Sequence, residues 1–571
     1  MSTFIGTDLN ETITPATVSP TVTVFGIPTV PSGAVDVIVS GGGDDTVAGG
    51  PGNDTAFLGA GNDTFIWNPG DGSDVVEGQQ GVDTLDFNGS GGDEIIDVSA
   101  NGERSRFFRN LGNIIMDMDR VERIAFDALG GADQIVVNDL SGTDVTDVAL
   151  DLAGTLGGAT GDGQIDRVTL RGAETGEAIQ IRGSGTTVAV LGLPAAVSVA
   201  NAEAADTLLI DARGGNDIID ASLLAAGVIH LAIDAGAGND QVIGSAGADL
   251  VTAGDGNDVV TGGRGDDVGV LGAGDDTFVW DPGDGSDVVE GQQGFDTLDF
   301  NGSGADERID ISALGPRARF FRDVGTITMD LDDVERIDFA ALGGADRIRV
   351  GDLTTTDVSR VVIDLAETAG SERGDRRTDR VTVEGTDHRD VITVRTLGDL
   401  TVVSGLSARV VIAGEDARRD ILTIEAGAGN DRISATRLSG DGLRFAAHGE
   451  GGHDVIRGGS GRDALFGERG RDYLFGGRAN DALTGGSDAD QFAFAGRNGV
   501  DRVRDFTDRA DKIRVEGYGK ALDSFFDLVD DIVQVGTDVH IRLEANVRGA
   551  GTIILEDFKA IRLSADDFLF L

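Results

Sequence analysis

Residues 253–276 decide the fold, and they read Ala253-Gly-Asp-Gly-Asn-Asp258-Val-Val-Thr-Gly262-Gly-Arg-Gly-Asp-Asp267-Val-Gly-Val-Leu271-Gly-Ala-Gly-Asp-Asp276. An aspartate recurs every nine residues, and a glycine stands two and four positions before each one. Glycine takes positive φ angles without a steric penalty, and the three residues after each aspartate suffice for a short strand with one inward side chain. The pattern therefore predicts a solenoid in which turn, strand, turn and strand form one coil.

The same nine-residue period occurs in three separate runs, and thirteen aspartates in phase do not arise by chance. Around each aspartate the text is close to G-G-x-G-x-D-x-U-x, where U is apolar. Four further aspartates follow the first two runs in a different phase, so they are only possible metal ligands. They are Asp74, Asp83, Asp287 and Asp296. The thirteen candidate metal ligands are Asp45, Asp54, Asp63, Asp240, Asp249, Asp258, Asp267, Asp276, Asp454, Asp463, Asp472, Asp481 and Asp490.

Aspartates stacked in successive coils repel one another strongly unless a cation lies between them. Carboxylates together with inward-turned carbonyls supply the six to eight oxygen ligands that Ca²⁺ accepts. Mg²⁺ fits less well because it prefers strict octahedral geometry, and softer metals lack ligands in a chain with no cysteine and five histidines. The sequence predicts several bound calcium ions.

These nonapeptides resemble those of the RTX (repeats-in-toxin) family, whose fold is a calcium-dependent parallel β-roll. The resemblance implies that calcium lies between successive coils, so that each aspartate works with the one two repeats later. The third run departs from the family pattern, because Ala479 and Asp488 replace a turn glycine and Arg462 and Arg471 precede their aspartates. The implied pairs are Asp45 with Asp63, Asp240 with Asp258, Asp249 with Asp267, Asp258 with Asp276, Asp454 with Asp472, Asp463 with Asp481, and Asp472 with Asp490.

A long duplication organises the chain, since residues 65–98 align with residues 278–311 at an offset of 213 and 28 of 34 residues are identical. We predict an all-β protein, a parallel β-roll or β-helix solenoid with a C-terminal β-rich cap. Aromatic residues such as Trp67 and Trp280, at the ends of runs, are predicted to plug the solenoid. The predicted parts are an N-terminal cap or linker (1–35), a first run (36–89), a solenoid segment (90–213), a second run (214–302), a second copy of the segment (303–425), a third run (426–494), and a C-terminal cap with a secretion signal (495–571).

Composition excludes several classes of protein. The 46 Lys and Arg against 99 Asp and Glu give a net charge of −53, which argues against nucleic acid as a partner, and the absence of cysteine excludes disulfide scaffolds. The first residues lack the pattern of a Sec signal peptide, and no apolar stretch is long enough for a membrane-spanning helix. Within residues 495–571 we predict a short helix at 521–529, and either a closing hairpin or further coils from 538–543 and 551–555.

The tail resembles the uncleaved C-terminal signal of RTX proteins that a type I exporter secretes, so the resemblance implies an extracellular or cell-surface protein. Neither HExxH nor G-x-S-x-G occurs, which argues against zinc proteases and lipases. We predict a non-enzymatic, calcium-binding protein that folds on extracellular calcium. A surface adhesin or surface-layer component with an unknown cell-surface or matrix partner is one alternative, and a β-helix polysaccharide lyase or epimerase is another.

Overall fold

The computed structural model describes residues 1–27, 29–371, 373–543, 547 and 549–571. The N-terminal cap predicted for residues 1–35 includes Pro28, which lies outside these residues. Contacts divide the chain into two units, one of residues 1–279 and 283–294 and the other of residues 280–282 and 295–571. Within the described residues every regular element is a β-strand or a short 3-10 turn, and no helix is long and apolar enough to cross a membrane.

In each unit most strands alternate between two sheets, and within each sheet the strands of successive coils pair in parallel. Thr55–Ala60 pairs with Val75–Gln80 in one sheet, and the intervening Thr64–Trp67 pairs with Thr84–Ser90 in the other. Every second side chain points inward, so that each strand alternates half-buried and buried residues. The all-β parallel solenoid predicted from the nine-residue period is therefore confirmed.

Strands β1 to β29, in chain order, span the N-terminal part, the first two runs and the segment between them. Strands β1 to β9 are Thr3–Ile5, Thr12–Ile13, Thr23–Phe25, Val37–Val39, Thr46–Val47, Thr55–Ala60, Thr64–Trp67, Val75–Gln80 and Thr84–Ser90. Strands β10 to β20 are Ile95–Asn101, Arg104–Arg109, Ile114–Asp119, Arg123–Leu129, Gln134–Val137, Asp147–Asp151, Arg167–Arg171, Ala178–Ser184, Thr187–Leu191, Ala196–Ala200 and Thr207–Asp211. Strands β21 to β29 are Ile218–Leu224, His230–Asp234, Gln241–Ile243, Leu250–Asp255, Val259–Thr261, Val268–Gly274, Thr277–Trp280, Val288–Gly294 and Thr297–Ser303.

Strands β30 to β53 belong to the second copy, the last run and the C-terminal part. Strands β30 to β40 are Arg308–Leu314, Arg317–Arg322, Ile327–Asp332, Arg336–Leu342, Arg347–Val350, Arg360–Asp364, Arg380–Glu384, Val391–Leu397, Leu400–Ser404, Arg409–Ala413 and Ile421–Glu425. Strands β41 to β53 are Arg432–Arg437, Arg444–His448, Val455–Arg457, Asp463–Arg469, Tyr473–Phe475, Ala482–Ser487, Gln491–Ala495, Val500–Val503, Lys512–Glu516, Ile532–Val535, Asp538–Arg542, Thr552–Leu555 and Phe568–Phe570.

Antiparallel strands interrupt the parallel coils between the runs. In residues 90–213, β11 pairs antiparallel with both β10 and β12, and β18 pairs antiparallel with both β17 and β19. The second copy repeats both insertions, at β30 to β32 and β37 to β39. Each inserted strand lies inside its sheet, because the two strands beside it also pair in parallel with neighbouring coils, as β10 does with β14 and β12 with β8.

Aromatic residues stack inside the coils rather than closing an end. The centroids of the Trp67 and Phe87 rings lie 4.0 Å apart in a parallel stack. The Phe107 ring also packs against Phe87, with the two centroids 4.3 Å apart. Both Trp67 and Phe107 are fully buried. Because the coils continue beyond Trp67 through β8 and β9, the predicted end plug is wrong for this residue, which forms an internal layer of the core.

The C-terminal part differs from the sequence prediction at one place. The helix predicted for residues 521–529 is wrong, since the structure has separate 3-10 turns at Gly519–Ala521, Phe525–Asp527 and Val529–Asp531. Ser524 is extended and its side chain caps the second turn through Asp527, which breaks any continuous helix. The predicted hairpin is confirmed, because β51 pairs antiparallel with β52.

Candidate calcium-binding turns

Most of the six-residue turns before the aspartates are built on glycines that lie directly against the backbone of the preceding coil. In the turn at residues 253–258, Gly254 and Gly256 have φ angles of 111° and 142°. A Cβ at either position would lie 1.7 Å from the carbonyl oxygen of Gly236 or Gly238 in the preceding coil. The glycines therefore let the carbonyls of one turn lie directly against the next turn, where oxygen ligands are needed.

The aspartates of successive coils are joined through hydrogen bonds. The backbone N–H of Asp240 donates to Asp258 Oδ1 (2.8 Å), and the N–H of Asp258 donates to Asp276 Oδ1 (2.7 Å). All seven pairs implied by the family resemblance have this contact, at 2.7–3.0 Å. In each pair, Oδ1 of the aspartate later in the chain is thus held in place by a backbone N–H of the preceding coil.

The other carboxylate oxygen is buried, and for most of these aspartates it accepts no hydrogen bond from the described residues. A buried carboxylate oxygen without a partner costs free energy, unless a ligand supplies the missing positive charge. The predicted ligands with such an Oδ2 are Asp45, Asp54, Asp63, Asp240, Asp258, Asp267, Asp454, Asp472, Asp481 and Asp490.

Asp249 and Asp463 are different from the other predicted ligands. Ser245 donates to both oxygens of Asp249, through its N–H to Oδ2 and through its hydroxyl to Oδ1 (2.8 Å). The N–H of Gly459 donates to Asp463 Oδ2 (2.6 Å). The chain itself occupies the second oxygen of these two aspartates, so we expect them to contribute less to metal binding.

Burial raises the pKa of every one of the thirteen carboxyls. The pKa of Asp258 rises to about 6, and that of Asp267 and Asp481 to about 8. Asp287 and Asp249 raise the pKa of Asp267 further because their carboxylates lie close to it. The uncompensated column of charge is unfavourable at neutral pH, and a divalent cation is the natural counter-charge.

The column includes aspartates that the period of nine did not select. Asp74 Oδ1 accepts from Asp54 N–H (2.8 Å), Asp83 from Asp63 (2.9 Å) and Asp287 from Asp267 (2.9 Å). These steps are 20 residues long, so a search at fixed spacing loses the phase although the coil continues. The same N–H to Oδ1 contact joins Asp36 to Asp54, Asp217 to Asp240, Asp431 to Asp454 and Asp481 to Asp501.

At one position in each segment between the runs, a buried arginine supplies the counter-charge. Glu94 occupies the column, since its N–H donates to Asp133 Oδ1, and Arg109 Nε donates to Glu94 Oε1 (3.0 Å). Both side chains are almost fully buried, and the Arg109 guanidinium lies 5.4 Å from the Trp67 ring. Glu307, Arg322 and Trp280 repeat the arrangement in the second copy. At this position the guanidinium group of the chain's own arginine neutralises the buried carboxylate.

The donors around the unpartnered oxygens are carboxylates and backbone carbonyls, which is the set that calcium prefers. A family model described as the RTX calcium-binding nonapeptide repeat (4 copies) matches residues 32–65, 234–269, 243–278, 281–299, 423–437, 448–483 and 458–492. The chain contains RTX calcium-binding repeats. The RTX matches include all thirteen predicted ligands, whereas residues 66–233 and 300–422 lie outside them.

Thirteen solved chains are also similar to this RTX-repeat chain. One is described as the extracellular lipase LipA from Serratia marcescens, at 16% identity and a TM-score of 0.17. The alignment covers 62% of this chain and 45% of the lipase chain, so this chain spans less than half the length of that relative. None of the curated proteins compared matches it.

Proposed function

We propose that this protein is a secreted, non-enzymatic calcium-binding protein whose coils fold when they bind extracellular calcium. The observation that carries the proposal is the column of buried aspartates whose second oxygen has no hydrogen-bond partner. Ten predicted ligands in three runs share this feature, and their raised pKa values indicate a site that lacks a positive charge. Calcium ions between the coils would supply it.

The mechanism is linkage between metal binding and folding. In the unfolded chain the aspartates are far apart and hydrated, so calcium binds them weakly. In the folded coil the carboxylates and the glycine carbonyls converge, and calcium stabilises only that state by mass action. At the low calcium concentration of a cytosol the chain would stay largely unfolded, which suits passage through a narrow exporter, and millimolar calcium outside the cell would drive folding.

Circular dichroism during a calcium titration tests the proposal, with magnesium at the same concentrations as the control. We expect the β signal and the thermal midpoint to rise with calcium and to respond little to magnesium. If neither quantity responds to calcium, the proposal fails.

Export is tested separately with residues 495–571. Fused to a reporter in cells that contain a type I exporter, this segment should carry the reporter to the medium without cleavage. A reporter that stays in the cells, with the exporter shown to be active on its own substrate, would contradict the proposed secretion route and leave calcium binding unaffected.

A further inference from the structure

The second copy of the solenoid segment carries a polar cleft that calcium binding does not use. The cleft has a volume of about 470 Å³ and is lined by Thr393, Arg395, Ser404, Ser434, Thr436 and Arg437. This volume lies within the range of small-ligand sites. Its lining consists of four hydroxyl groups and two guanidinium groups, which is unusual in a chain with a net charge of −53.

A β-bulge brings the two arginines together. Strand β37 pairs in parallel with β41, and Thr393 lies opposite Ser434. The register then shifts by one residue, so that Arg395 lies opposite Arg437. Bulges re-aim side chains in this way and are frequent beside functional sites. Like charges opposite each other on neighbouring strands destabilise a sheet, so an anion between them would relieve a local cost.

No carboxylate of the described residues neutralises this pair. Most arginines of the chain's antiparallel insertions form ion pairs, as Arg104 does with Asp117 and Arg317 with Asp330. Neither Arg395 nor Arg437 has an ion pair within the described residues, and Arg395 Nε is buried without a hydrogen-bond partner there. A guanidinium presents a fork of donors that matches a carboxylate or a sulfate group.

The first copy has the same backbone with different chemistry. There β17 pairs with β21 through the same bulge, and Gln180 lies opposite Asp220 while Arg182 lies opposite Leu223. Asp220 thus replaces Ser434, and Leu223 replaces Arg437. The corresponding cleft is lined largely by small and apolar residues, among them Val188, Ala189 and Val199. The first copy therefore provides an internal comparison in which the positive pair is absent.

We propose that the cleft of the second copy binds the carboxylate or sulfate group of an acidic saccharide, and that the cleft of the first copy does not. Arg395 and Arg437 hold the anionic group. The hydroxyls of Thr393, Ser404, Ser434 and Thr436 can each donate and accept, which complements sugar hydroxyls. Within the six residues that line the cleft there is no apolar pocket for the side chains of an acidic peptide, so a saccharide fits better.

Isothermal titration calorimetry on the calcium-loaded full chain tests this proposal. The probes are a glucuronate tetramer, a sulfated tetrasaccharide, free sulfate and neutral maltotetraose. We expect one site per chain for one or both acidic tetramers, no binding of maltotetraose, and a weaker interaction with free sulfate. The preferred tetramer distinguishes a carboxylate from a sulfate ligand.

Variants that exchange the two copies provide the controls. Arg437→Leu and Ser434→Asp install residues that the first copy already tolerates at the same register, and each should weaken binding at least tenfold. Arg182→Leu in the first copy should leave binding unchanged. The double variant Asp220→Ser with Leu223→Arg should add a second site.

Three results would overturn the proposal. The first is the absence of binding by either acidic tetramer at millimolar concentration. The second is binding that Arg437→Leu leaves unchanged, which would place the saccharide on the calcium ions instead. The third is free sulfate binding as tightly as the tetramers, because the cleft would then be a site for a simple anion.

Discussion

Removing the charge of Asp258 should have opposite effects on stability with and without calcium. Asp258 belongs to two turn pairs, because its Oδ1 accepts from Asp240 N–H and its own N–H donates to Asp276 Oδ1. Substitution by asparagine keeps an oxygen that can accept the bond from Asp240, so the backbone contact survives. What changes is the negative charge on a side chain that is 1% exposed.

The magnitude in each condition follows from the structure. Without calcium, the pKa of Asp258 is raised from 3.8 to about 6. Each unit of this pKa difference corresponds to about 1.4 kcal/mol, so ionised Asp258 would lower the free energy of unfolding by about 3 kcal/mol at pH 7. Solvent screening near the turn surface reduces this to roughly half, so D258N should stabilise the calcium-free fold by about 1.5 kcal/mol. With calcium at ten times the Kd, each lost ion removes about 1.4 kcal/mol, and two ions remove about 3 kcal/mol.

Urea unfolding followed by circular dichroism, with calcium and with a chelator, measures both effects. Asp93→Asn is the control, because Asp93 is exposed, lies outside the runs and accepts one backbone hydrogen bond from Ala132 that asparagine can keep. Asp249→Asn should have an intermediate effect, since Ser245 already occupies its second oxygen. If D258N destabilises the protein equally in both conditions, or if D93N reduces the calcium response as much, the reasoning is refuted.

Three further predictions concern the column and its turns. Ionisation of buried carboxyls with pKa values raised from 3.8 to about 6–8 destabilises the calcium-free fold, increasingly as the pH rises from the ordinary pKa and fully above the raised ones. The far-UV β signal of the calcium-free protein should therefore increase as the pH falls from 8 to 5; no increase, or a loss, would contradict this. Ala479 has a φ angle of 74°, which glycine adopts without steric cost, so Ala479→Gly should raise the free energy of unfolding in calcium by about 1 kcal/mol. The control Ala482→Gly, in strand β46, should lower the free energy of unfolding by a similar amount. Arg109→Met leaves the Glu94 carboxylate buried without its cation, so it should lower the free energy of unfolding in urea by about 3–5 kcal/mol. Adding Glu94→Gln should recover much of that loss. Equal stability of the single and double variants would argue against the ion pair.

The local pattern of the sequence was sufficient to predict the solenoid coil. Glycines two and four positions before most of the aspartates favour turns with positive φ, and one apolar side chain in three favours a short strand with one buried residue. These rules act within nine residues, so the solenoid, its parallel pairing and the aspartate column could be predicted without knowledge of distant contacts. Even Ala479 and Asp488, which lack the glycine, take the same positive φ because the neighbouring coils impose it.

The tertiary structure decided which groups from distant parts of the chain meet. Asp54 and Asp74 join the same column across 20 residues, because a coil can absorb two extra residues in a turn without losing its register. Glu94 receives Arg109 from an inserted strand, and a bulge sets Arg395 opposite Arg437 across 42 positions. Period and composition carry no information about these pairings, since they depend on strand insertion and register, which only the packed coils determine.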